Sequence, residues 1–154
     1  MNTRQIEKRI KSIVQREGRR PRILLAHLEN GQPDHWTKPL AASLAEFGFD
    51  VDIGPGIQAP LQTARLAIDN DVHLVCAAIV EVANQPLVVK LAEALEAKGG
   101  ADIRLVAGGA GLQPNQEELY RAGLDLIVDF DKSNINLIGG MLDLLDESGA
   151  SPGP

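Results

Sequence analysis

The residues best equipped for chemistry in this chain crowd into the stretch ENGQPDHWTK, Glu29–Lys38. It sets a carboxylate, an imidazole and an indole side by side as Asp34, His35 and Trp36. A neutral imidazole is a ready metal ligand and carries a proton near neutral pH. Asp34 is adjacent to His35 in sequence, which does not imply that it orients the ring. The plain alternative is a surface pair on a rim loop. Trp36 is the single tryptophan of a chain whose aromatic content is 3%. Flanked by Pro33 and Pro39, it either plugs a cavity or anchors a partner, and the plug is the preferred reading. Of the other histidines, His27 and His73 fall at strand positions, where a lone imidazole is ordinarily packed or edge-facing. Cys76 sits mid-strand among apolar residues and reads as core. A single cysteine also excludes an internal disulfide and offers no metal-site spacing.

Several ligand classes lack their motifs. There is no Walker loop, and no Gly-x-Gly-x-x-Gly follows the first strand. The third strand ends Ala78-Ile79-Val80-Glu81, without the aspartate a phosphate receiver needs. A flavin site would want a hydroxyl-rich loop after strand one and aromatic walls, and neither is present. No Ser-His-Asp or Cys-His set is discernible.

The elements that must position this loop follow from periodicity. Residues 3–17 place Ile6, Ile10, Ile13 and Val14 on one helical stripe, and Gly18 is a stop signal. Strands are expected at Ile23–Leu28, Phe49–Ile53, Val72–Ile79, Arg104–Ala107 and Leu124–Val128. The third is an unbroken apolar run, as in a central parallel strand covered on both faces. Helices are expected at Thr37–Phe47, with Thr37 as N-cap and Leu40, Leu44 and Phe47 on one face; at Pro60–Asn70, with Leu61, Ala64 and Ile68 inward; and at Asn84–Lys98, with Val88, Leu91 and Leu95 aligned. A further helix opens with an Asn115/Glu118 capping box and closes at Gly123, and the last spans Asn134–Asp146. Strands alternating with helices over short connections make a doubly wound α/β fold.

The frame also resembles a known family. RPRILLA, GFDVDIGP, NDVHLV, LAEAL, ADIRLVAGG and LYRAG sit at the spacing of the cobalamin (B12)-binding domain of methylmalonyl-CoA mutase. The resemblance implies a five-stranded parallel sheet in flavodoxin-like order 2-1-3-4-5 with an extra N-terminal helix. Together with the helical stripe and the polar, Gly/Pro-rich C-terminus, it gives a basic amphipathic helix at 1–19, the α/β domain at 20–146 and a disordered tail at 147–154. It also implies a site. The family's Asp-x-His-x-x-Gly, whose His ligates cobalt, falls on Gly31, Pro33 and Trp36. The Ser that holds the cofactor's tail base corresponds to Ala78. Its Gly-x-Gly-Thr after strand five corresponds to Asp129, Phe130, Asp131 and Lys132. Of the pocket elements, Gly108 and Gly109 survive.

Ligand, orienter, slot volume, hydrogen bond and far wall are thus lost together. The expectation is a degenerate domain whose vestigial rim is Pro33, His35, Trp36, Ala78, Gly108 and Gly109, with no catalytic residue, metal or cofactor. Its expected role is a structural or regulatory companion of an acyl-CoA mutase system, not an enzyme by itself. The alternative is a working cobalamin-binding subunit or carrier that uses a shifted His35 or base-on binding.

At 154 residues, 44% hydrophobic and a mean hydropathy of −0.06, the chain reads as one soluble domain. No apolar run suits a membrane span, and MNTRQIEKRI lacks a secretion-signal core, so the expected location is cytoplasmic. The net charge of −6 hides an asymmetry: residues 1–22 carry +6 and the remainder −12. An acidic body is a poor match for nucleic acid. The expected partner is a protein, either an acyl-CoA mutase subunit or a second copy. The helix at 3–17 would mediate that association unless its stripe packs on its own domain.

Overall fold

Alternate residues of the first strand decide the architecture. In the computed structural model, which describes residues 1–29 and 35–149, β1 (Arg22–His27) sends Ile23 and Leu25 to one face and Leu24 and Ala26 to the other, all four buried. Side chains on a strand point alternately to opposite faces, so a strand apolar at both parities must be covered twice. The covering helices are α1 (Thr3–Glu17), α2 (Thr37–Phe47) and α6 (Asn134–Gly149) on the Ile23 face. On the Leu24 face they are α3 (Pro60–Asp69), α4 (Gln85–Ala97) and α5 (Gln116–Arg121).

The sheet also contains β2 (Asp50–Ile57), β3 (Leu74–Ala78), β4 (Arg104–Gly108) and β5 (Leu126–Val128). Every pairing is parallel, and the order is β2-β1-β3-β4-β5, as expected. The chain turns one way from β1 and then the other. The crevice at the carboxyl ends of β1 and β3 is therefore the topological switch point, where this architecture places ligands.

The stripe of α1 is spent inside the chain. Ile6 and Ile13 are fully buried and Ile10 nearly so, in the core shared with α2 and α6. The helix starts on a reciprocal cap: Gln5 N–H donates to Asn2 Oδ1 (2.9 Å), and Asn2 N–H donates to Gln5 Oε1 (2.8 Å). Part of its positive charge is met by the body. Arg9 donates to Asp143 (2.9 Å) and Asp146 (3.2 Å) of α6, and Glu17 faces His73 Nε2 at 2.8 Å. These apolar positions are therefore closed to a partner, and the charge asymmetry of the sequence is partly an internal pairing.

Local expectations fail in instructive places. β2 runs through Gly54-Pro55-Gly56 to Ile57, because an edge strand tolerates a proline on its unpaired side. The inward face of α3 is Thr63, Ala64 and Ala67, while Leu61 is 39% exposed. The capping box of α5 does not form. Asn115 takes a left-handed backbone (φ 65°), makes no side-chain cap bond, and turns its amide toward Gln85 Oε1. The N-cap of α2 is Trp36 rather than Thr37. The last helix continues past Asp146 to Gly149, and the remainder of the expected disordered tail lies outside the described residues.

Candidate functional site

The crevice is built from four strand ends: His27 of β1, Ala78 of β3, Gly108 of β4 and Val128 of β5. Of the residues expected on its rim, Pro33 lies outside the described residues, as do Gly31 and Asp34 of the same loop. His35 is exposed. Trp36 is half-buried and packs on the core of the α1/α2/α6 face.

Trp36 contacts two other rings. Its centroid lies 4.9 Å from that of Phe130 with the planes 27° apart, an offset stack. His27 also lies near Trp36, with ring centroids 6.1 Å apart and planes tilted by 45°. His27 is held in turn, its Nε2 3.1 Å from the hydroxyl of buried Thr37. The start of α2 thus carries an indole where a side-chain cap would otherwise sit, and β1 and the loop after β5 supply its two neighbours.

The two glycines that match the family pattern have work within this chain. A methyl added at Gly108 would meet Phe130 Cε2 at 2.8 Å, Val128 Cγ2 at 3.0 Å, and the carbonyl oxygen of Val128. One added at Gly109 (φ +111°) would run into the carbonyl of Ile79. Ile79 is fully buried and fixed from both sides: its N–H donates to the Gly108 carbonyl, and its own carbonyl accepts from Gly111 N–H, each at 2.8 Å. The close approach of β5's end to Gly108, and of Ile79 to Gly109, requires these glycines whether or not a ligand comes near.

One contributor was missed from the sequence. Glu29, the last described residue after β1, reaches across the switch point with its carboxylate. Oε1 accepts from Val80 N–H (2.7 Å), and Oε2 accepts from Glu81 N–H (3.0 Å) and Asn84 Nδ2 (2.8 Å). The only trace in the sequence is an acidic residue directly after a buried strand. Beyond β5, Asp129 accepts from Asp131 N–H (2.9 Å), and both carboxylates are exposed, so neither is a buried charge.

The remaining candidates lie apart from the crevice. His73 precedes β3 at the opposite end of the sheet, its Nδ1 accepting from Arg22 N–H at 3.0 Å. Cys76 is fully buried within β3, and desolvation there pushes its thiol well above the ordinary range. Among the described residues, no group of three or more His, Cys, Asp and Glu could hold a metal ion. No described helix is long and apolar enough to cross a membrane.

Fold and crevice together define a flavodoxin-like α/β domain of the kind that carries a ligand at its switch point. Residues 21–133 match the family described as B12 binding domain, and the chain belongs to that family. Over 144 residues it is 35% identical to methylmalonyl-CoA mutase of Cereibacter sphaeroides, covering 94% of this chain and 20% of that protein. Over 123 residues it is 39% identical to a probable mitochondrial methylmalonyl-CoA mutase of Caenorhabditis elegans, covering 80% of this chain and 16% of that one. Over 107 residues it is 42% identical to the methylmalonyl-CoA mutase large subunit of Streptomyces virginiae, covering 70% and 15%. The chain thus spans no more than a fifth of these relatives. A cobalamin-binding protein from Desulfitobacterium hafniense has the same fold, with a TM-score of 0.67 at 17% identity over 92% of this chain and 67% of that one. So does a LuxR-family DNA-binding response regulator from Staphylococcus aureus, at a TM-score of 0.58 and 12% identity over 80% and 98%.

Proposed function

We propose that this chain is a B12-binding-family domain that does not take cobalamin in the base-off, His-on mode and acts as a structural or regulatory companion of an acyl-CoA mutase system. The observation that carries this reading is the stack of Trp36 on Phe130, with Phe130 lying against Gly108. A cofactor tail entering between the strand ends needs that volume, and the chain fills it with its own rings. Glu29 adds a tie across the mouth. The residues present therefore do not fit the group that the family binds. In sequence, Pro33 stands where the cobalt-binding His belongs and has no nitrogen to offer, and Ala78 has no hydroxyl for the tail base.

The companion role rests on the relatives' proportions. In proteins named as mutases, the matching segment is a minor part of a much longer chain. The substrate chemistry of a mutase system then lies outside the matching segment, and residues 1–154 by themselves are expected to turn over no acyl-CoA. The partner is a mutase chain or a second copy of the domain.

The test is a titration with hydroxocobalamin and adenosylcobalamin, followed by absorbance and calorimetry, on the wild type and on His35→Ala. No base-off spectrum at micromolar protein is expected, with the variant behaving alike. Micromolar base-off binding that His35→Ala abolishes would overturn the reading and make the chain a cobalamin carrier.

A further inference from the structure

We propose that Val80 N–H, Glu81 N–H and Asn84 Nδ2 form a carboxylate-binding site whose resident ligand is the chain's own Glu29. Three donors converge on one half-buried carboxylate from a single short segment, at 2.7, 3.0 and 2.8 Å. Both oxygens are used, the geometry that a planar two-oxygen anion satisfies and a single-point acceptor does not. Among the described residues no lysine or arginine takes part, so recognition comes from backbone and amide dipoles. The donors are held in place independently of Glu29. Ile79, just before them, is fixed by its two backbone bonds. Asn84 N–H donates to the Glu81 carbonyl (2.9 Å), closing the turn that leads into α4. A receptor built without its ligand and then filled by a residue from another strand end is a site with a tethered occupant.

The consequence is mechanical. Glu29 follows β1 and its receptor follows β3, so the bond pins together the two strand ends that border the switch point. An outside carboxylate meets a site already held at the high effective concentration of an intramolecular ligand. This inference stands on the hydrogen bonds and not on cobalamin, so it and the proposed function can fail separately.

The test uses the full chain, Glu29→Ala and Glu29→Gln, with backbone amide exchange and NMR shifts as readouts and no cobalamin present. In the wild type the Val80 and Glu81 amides are protected and indifferent to added acetate. In Glu29→Ala their exchange is expected to rise at least tenfold. Acetate, but not chloride at matched ionic strength, should then shift both amides saturably and restore protection. Unchanged exchange in Glu29→Ala, or equal responses to acetate and chloride, would overturn the proposal. Should the alanine variant not fold, Glu29→Gln decides. Its amide replaces one acceptor with a donor, so protection lost at either amide supports the site, and protection kept at both refutes it.

Discussion

Phe130→Ala probes the Trp36–Phe130 stack most directly. Phe130 is half-buried, stacks on Trp36 and lies against Gly108. Truncating a fully buried phenylalanine costs about 3–5 kcal/mol, and half that scale is about 2 kcal/mol here. The lost stack adds about 0.5–1.5 kcal/mol beyond the buried area. The expected total is about 2.5–3.5 kcal/mol, a fall in Tm of roughly 5–14 °C for a domain of this size. That stays below the roughly 5–15 kcal/mol that holds a typical domain together, so the variant should remain folded. Urea unfolding measures the loss. Trp36 is the only tryptophan, so its emission reports the stack directly and should shift to the red. A cycle of Trp36→Ala, Phe130→Ala and the double variant should then give a coupling of about 0.5–1.5 kcal/mol. A coupling below about 0.3 kcal/mol, with Trp36 emission unchanged in Phe130→Ala, would show that the rings do not close the crevice together.

Other substitutions test the frame. Ile13→Ala removes a fully buried side chain and should cost about 2–4 kcal/mol in urea unfolding of the lone chain; an unmoved midpoint would mean that α1 does not belong to the core. Thr63 is fully buried and its hydroxyl has no partner among the described residues, so Thr63→Val should be neutral or stabilise by about 1 kcal/mol, and a clear loss would reveal a bond. The buried Cys76 thiol, pushed up by desolvation, should resist a disulfide reagent at pH 8 in the native state and react once urea unfolds the chain; fast native labelling would contradict its burial.

The sequence by itself determined the elements and their order. The apolar run through β3, the α4 stripe of Val88, Leu91 and Leu95, and the glycine stops are local signals, and the structure keeps them. The sheet order was legible through the family resemblance rather than through periodicity, because period alone does not say which strand lies beside which. Short-range chemistry was less secure. Asn115 and Glu118 have capping-box spacing, yet a left-handed turn at Asn115 sends its amide to Gln85 instead. A propensity worth about 1 kcal/mol yields to the packing of two loops.

Only the tertiary structure decided where the surfaces go. An amphipathic stripe says that a helix is covered, not by what, and α1 is covered by α2 and α6 of its own chain. Pro33 at the position where the resemblance expects a His was legible in the sequence, but the stacking of Trp36 on Phe130 was not. Trp36 and Phe130 meet at the carboxyl end of the sheet, where parallel strands bring the segments after β1 and β5, and Glu29 meets Val80 because β1 and β3 are neighbours. Such contacts join residues far apart along the chain. No local pattern encodes them, since each side chain's partner is fixed by the closure of the whole sheet.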